Sequence, residues 1–220
     1  MFLTTEKPST DGYLKIETVI SKHPEARDVL DFAVVLRRYH YGNEVAGPSL
    51  AHLKGVLVQR GYLPNDGEGE DYFEIFDERS HHAAIGYRVL LEDRGLIAKA
   101  LEEDADLDQL SSVAYLERLW VNPSLRGHDI ALRLLREAQH VISRDGLLVL
   151  MKAHPDEFDD GDNEKLASYY RSEKQLGLRE ISKQHAGWLV AAWQEPLVNE
   201  KDGAFLHLEV EEVAASDENG

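Results

Sequence analysis

The chain has 220 residues, 43% of them apolar and 30% charged, with a formal net charge of −17 and no cysteine. That length and composition suit an ordinary globular core, and they exclude a disulfide framework, a thiolate metal site and a cysteine nucleophile. So large an excess of acid repels nucleic-acid phosphates and attracts cations, so nucleic acid is not an expected partner.

Met1 to Lys7 carries neither a basic region nor a long apolar one, and no apolar run nears the roughly 18 residues of a membrane span. The expected location is the cytoplasm, with no membrane partner. Residues 1–12 are polar, with Pro8 and Gly12, and read as loosely ordered. From Pro24 to Arg38 the apolar residues Val29, Leu30, Phe32, Ala33 and Leu36 recur at helical spacing. Pro24 suits the first turn, where its missing N–H costs nothing. Leu50, Leu53, Val56 and Leu57 continue that pattern after Pro48 and Ser49, and Gly61 closes it. Residues 1–70 are therefore predicted to form an N-terminal helical extension packed on the same domain. Pro64 to Asp71 is a turn-rich acidic loop.

The period then changes. Tyr72 to Phe76 and Ala83 to Leu91 read as two strands around a turn. Glu92 to Leu110 is a charged connection with a short helix near Leu96 to Leu101. Val113 to Val121 is a third strand, with Tyr115, Glu117, Leu119 and Val121 on one face and Ala114, Leu116, Arg118 and Trp120 on the other. Ile130 to Ile142 is a helix with an apolar stripe of Ile130, Leu134, Leu135, Ala138, Val141 and Ile142. After Gly146, the continuous apolar run Leu147 to Met151 fits a strand buried on both faces. Strand, helix and strand at this spacing make a crossover with parallel strands. A Pro/Asp-rich loop from Pro155 to Asn163 precedes a helix over Glu164 to Lys174. Leu178 to Gln184 and Trp188 to Trp193 read as a strand pair, Ala204 to Val210 as an edge strand, and Glu211 to Gly220 as an acidic tail.

Between the third strand and its helix lies Asn122-Pro123-Ser124-Leu125-Arg126-Gly127-His128-Asp129. A basic, glycine-bearing loop that feeds a helix presents unpaired N–H groups and the positive end of the helix dipole. A phosphate-bearing ligand is predicted at about residues 126–131. Competing signals are weak. Asp156 to Ala167 carries Phe158 and Ala167 where a calcium loop needs oxygen ligands, and the adjacent His81 and His82 point apart. No metal site is expected.

The ordered set of strand 113–121, loop 122–129, helix 130–142, strand 147–151 and helix 164–174 with Tyr169-Tyr170, followed by Leu176-Gly177-Leu178, resembles the GNAT N-acetyltransferase superfamily over about residues 72–194. The resemblance implies an α/β fold with a mixed central sheet and helices on both faces. Its core would run over residues 71–196, and residues 197–220 would supply an edge strand and the tail. It also implies acetyl-coenzyme A as co-substrate and acetyl transfer to a primary amine by direct attack in a ternary complex. The acceptor would be a cationic small molecule or a protein amine, and a homodimer is compatible with this reading.

Residue by residue, the resemblance puts the pyrophosphate on Arg126, Gly127, His128, Asp129, Ile130 and Ala131, and the thioester carbonyl against backbone N–H groups near Leu119, Trp120 and Val121. Glu117 resembles the strand carboxylate that serves as general base. Tyr170, or its neighbour Tyr169, resembles the general acid for the leaving thiolate. Asp129 departs from the pattern, which has glycine there. A carboxylate about 4 Å from a phosphate charge costs up to ~4 kcal/mol at an effective dielectric of about 20. An N-cap role with the side chain turned from the cofactor avoids that cost. The alternative is a non-catalytic binding or sensor module with weakened acyl-coenzyme A binding.

Overall fold

Among the described residues the first three elements are strands, not the two helices expected within residues 24–57. The computed structural model describes residues 12–24, 28–41, 46–59, 76–77, 81–102, 110–154 and 163–194. Strand β1 spans Gly12–Lys22, β2 Val29–His40 and β3 Ser49–Val58, each antiparallel to the next. Two periods overlap in this stretch. Val29, Phe32 and Leu36 fit a helix, but Phe32, Val34 and Leu36 are the buried residues that share one face, at period two. The adjacent β-branched Val34 and Val35 favour the extended form. The expected N-terminal helical extension is therefore corrected: β1 to β3 belong to the same sheet as the rest of the chain.

The opposite correction applies to Ala83–Leu91, expected as a strand. It lies in helix α1, His81–Glu92, where Ala83, Tyr87 and Leu90 are buried at spacings of four and three. Gly86 lets this helix approach Trp188, whose ring atoms would stand 2.7 Å from an added Cβ. Helix α2, Arg94–Leu101, follows as expected. Its C-terminal carbonyls at Ala100 and Leu101 each accept a 3.1 Å hydrogen bond from Arg179, which satisfies groups the helix itself leaves unpaired.

The remaining elements are β4 Ser112–Val121, α3 Ile130–Ile142, β5 Leu147–Lys152, α4 Asn163–Ser172, β6 Arg179–Glu180 and β7 Trp188–Ala192. The seven strands form one mixed sheet in the order β1-β2-β3-β4-β5-β7-β6. Strands β4 and β5 are parallel across the α3 crossover, and the other pairs are antiparallel. The strand expected over 178–184 shrinks to two paired residues before a 3-10 turn at Lys183–His185. The strand expected at 72–76, apart from Phe76, and everything expected over 197–220 lie outside the described residues.

Both faces of the sheet are covered. Ala114, Leu116, Leu147, Val149 and Met151 pack with the buried stripe of α3 and with Ala167 and Tyr170 of α4. Val113, Tyr115, Leu148 and Leu150 pack with α1 and α2. Val141, expected in the α3 stripe, is 37% exposed. Trp193 closes the core beneath α4, its indole N–H donating to the Leu176 carbonyl at 2.8 Å.

Candidate functional site

The site begins with a break in the sheet. The β4–β5 ladder runs from Ser112–Leu147 to Leu116–Met151 and ends there, although β4 continues to Val121. At the same point the β3–β4 register shifts: Gly55 pairs with Leu116, but Lys54 pairs with Arg118. Glu117 is the extra residue of a β-bulge. Bulges bend a strand and increase its twist, which turns β4 from β5 beyond Leu116. Strand ends of this kind, at the carboxyl side of parallel strands, are where open α/β sheets bind ligands.

The bulge also overturns the expected alternation along β4. Leu119 and Val121 pack in the same layer as Ala114 and Leu116, on the α3 side, while Tyr115 faces α1 and α2. Arg118 and Trp120 pair with Lys54 and His52. Trp120 stacks on His52 with ring centroids 5.5 Å apart.

A cleft of about 130 Å³ opens where the two strands part. Leu53, Leu116, Leu119 and Met151 supply apolar walls, and Glu117, Arg118, Lys152, His154 and Tyr170 supply polar groups. Tyr170 is buried on α4 with Ala167, and Glu117 is half-buried. Lys152 is the first polar side chain after the apolar run of β5. Its ammonium donates to the Ala186 carbonyl and lies 5.5 Å from the centroid of the Trp188 ring. Burial lowers its pKa, with Glu180 opposing the shift.

The loop from β4 to α3 lies at the same end of the sheet. Asn122 organises its start: its carboxamide oxygen accepts from the Ser124 backbone N–H at 3.0 Å and the Ser124 hydroxyl at 2.9 Å. Arg126 is exposed, with Nε 3.4 Å from the Val121 carbonyl oxygen. Gly127 has φ +82°, and among the described residues, its chain neighbours aside, nothing lies within 4 Å of the place its Cβ would take. His128 is exposed, and Ile130 and Ala131 are buried by their side chains at the start of α3.

Asp129 corrects another expectation. It does not cap α3 with its side chain. It adopts the left-handed conformation, φ 56° and ψ 21°, and its carboxylate accepts a 3.3 Å hydrogen bond from the Tyr169 hydroxyl. Burial first, then the Asp129 charge, hold the Tyr169 phenol well above the ordinary tyrosine pKa. The two tyrosines thus diverge: Tyr169 sits over the α3 N-terminus, whereas Tyr170 lines the cleft.

Sequence reasoning missed Arg118, Lys152 and His154. The available signal was positional: a polar residue directly after a buried parallel strand stands at the ligand-binding end of the sheet. No protein-family model matches the chain, and no curated protein matches it in sequence.

Proposed function

We propose that the chain is an acyl-coenzyme A-dependent N-acyltransferase of GNAT-like architecture, transferring acetyl from acetyl-coenzyme A to a primary amine. The observation that carries this reading is the parting of β4 from β5 at the Glu117 bulge, beside the glycine-bearing loop that opens α3. Arg126, the exposed backbone at Gly127 and the first-turn amides of α3 would hold the pyrophosphate. The cleft would take the thioester, with backbone N–H groups of β4 beyond Leu116 facing the carbonyl oxygen.

In this reading the amine nitrogen attacks the thioester carbonyl carbon, and the C–S bond breaks as the tetrahedral intermediate collapses. Glu117 takes the amine proton, directly or through water, and Tyr170 protonates the departing thiolate. Both residues line the cleft.

The test is calorimetry and thermal shift with acetyl-coenzyme A, followed by thiol release with an amine panel. Binding and amine-dependent release support the assignment. No binding at millimolar cofactor removes it. One observation favours a second reading, a binding module without turnover: the Asp129 carboxylate stands at the helix end where phosphate would dock. Cofactor binding with no thiol release for any amine would favour that reading.

A further inference from the structure

Independently of the transferase reading, we infer that β1 is a docking edge for a second copy of this chain, the two β1 strands pairing antiparallel about a two-fold axis at Ile16. Among the described residues the sheet ends at β1, which pairs with β2 alone. The outward N–H and C=O groups of an edge strand are a template for another strand, and edges are usually short or blunted by proline, bulges or charge. Strand β1 has eleven residues, Gly12–Lys22, roughly twice the common strand length. It holds no proline, and its ladder runs from Gly12–His40 to Lys22–Leu30 with no register shift. Val19 and Ile20 are 58% and 45% exposed. Neighbours on a strand point to opposite faces, so among the described residues neither face covers this part of β1.

The sequence of β1 fits its own reverse in one register. With Ile16 opposite Ile16 of the second copy, Lys15 stands opposite Glu17 and Glu17 opposite Lys15. Tyr13 then stands opposite Val19, an aromatic and β-branched pair of the kind that stabilises sheets. A slip of two residues either way sets Lys15 against Lys15 or Glu17 against Glu17, and like charges directly opposite destabilise. A slip of one residue brings opposite faces of the two strands together. Leu14 and Ile16 are half-buried against the α3 layer, and the second copy covers more of each. In its own chain Lys15 donates to Glu17 Oε1 at 3.0 Å, and Arg37 Nε lies 3.6 Å from Oε2. An ammonium has three donors and a carboxylate about four acceptor positions, so contacts across the axis add to these without displacing them. A net charge of −17 makes two chains repel at long range, but charges beyond about 8 Å are largely screened at physiological salt. Within β1 two lysines face one glutamate. The pairwise match of both signs selects a second copy over a strand of a single charge.

The test uses the full chain at physiological salt. Sedimentation velocity from about 1 to about 300 µM should show a monomer–dimer equilibrium, weak because one strand makes the interface. Lys15→Glu and Glu17→Lys should each raise the dissociation constant at least about tenfold. An equimolar mixture of the two variants restores opposite charges across the axis, and should associate to within about threefold of the parent chain. Because the chain has no cysteine, a single introduced thiol reports the register. Ile16→Cys should cross-link to itself with a short bismaleimide. Val19→Cys should not, since its two thiols would stand about 20 Å apart along the strands. A parent chain that stays monomeric throughout this range overturns the inference. A dimer that neither charge variant weakens also overturns it, as does a mixture no more associated than either variant alone. Cross-linking of Val19→Cys without cross-linking of Ile16→Cys overturns the register.

Discussion

The Tyr169 hydroxyl donates to the Asp129 carboxylate at 3.3 Å, so one phenol ties α4 to the loop that opens α3. The contact engages a carboxylate that the proposed pyrophosphate site would face. An arriving diphosphate would meet the Asp129 charge. In the proposed reading this contact would couple cofactor affinity to the conformation of residue 129.

Substitution at Asp129 separates charge from backbone. The residue holds φ 56°, which glycine adopts without steric cost and alanine does not. Asp129→Ala should lower unfolding free energy by about 1 kcal/mol, whereas Asp129→Gly should stay within about 0.5 kcal/mol of the parent chain. Asp129→Gly should also tighten acetyl-coenzyme A binding by roughly tenfold, below the full Coulomb estimate because the side chain is exposed. Urea denaturation and calorimetry read the two effects. Unchanged affinity in Asp129→Gly would show that the carboxylate does not face the cofactor.

Tyr169 sets a pH signature. Its folded-state pKa lies above the ordinary 10.0, from burial and then from Asp129. The folded chain thus holds this proton more tightly than the unfolded chain. The resulting stability is complete below pH 10 and is lost as pH rises through the folded value. Urea midpoints measured between about pH 9 and 11.5 should decline less steeply in Tyr169→Phe than in the parent. The lowered pKa of Lys152 acts with the opposite sign, since stability rises with pH in the window below 10.5, and it is common to both chains. Equal slopes would mean that the phenol's proton is not held by the fold.

The crossover was legible because its signals agree. The run Leu147 to Met151 is apolar throughout, and the α3 stripe has a single period. In β2 and β3 two periods fit the same residues, and only pairing across the sheet decides between them. Ala83–Leu91 failed for the converse reason: Ile85 and Val89 look like strand residues, but the contacts of Ala83, Tyr87 and Leu90 beneath the sheet decide the helix. Arg126 was singled out from the local loop-to-helix pattern, and Tyr170 only through the family resemblance; the structure puts Arg126 in the loop before α3 and Tyr170 at the cleft. The bulge at Glu117 was not legible, because an extra residue in a ladder is defined by the partner strand. Hence the facing of Leu119, and the pairing of Arg118 with Lys54, had no signature along the chain.

Gly55 sits opposite the bulge, where space is already filled. An added Cβ would lie 2.5 Å from Cζ of Phe32 and 2.7 Å from the Tyr115 carbonyl oxygen. The ring can shift, but the backbone oxygen moves only with its strand. Gly55→Ala should therefore cost about 1–3 kcal/mol, and adding Phe32→Leu should recover only part of the loss. Urea denaturation of both variants checks this. A loss under about 0.5 kcal/mol in Gly55→Ala would show that β3 and β4 can separate locally without cost.

Tyr170 tests the chemistry instead of the fold. It is buried, lines the cleft and packs with Ala167 and the α3 layer. Tyr170→Phe keeps the ring, so packing survives and the change falls on the hydroxyl. If that hydroxyl protonates the leaving thiolate, kcat should fall by about 10²-fold or more, with acetyl-coenzyme A affinity altered less than about threefold. A normal kcat with a free thiol product would assign the proton to water. A matched rise in KM and Kd with kcat unchanged would make the hydroxyl a binding group, because interactions equal in ground and transition states leave turnover untouched.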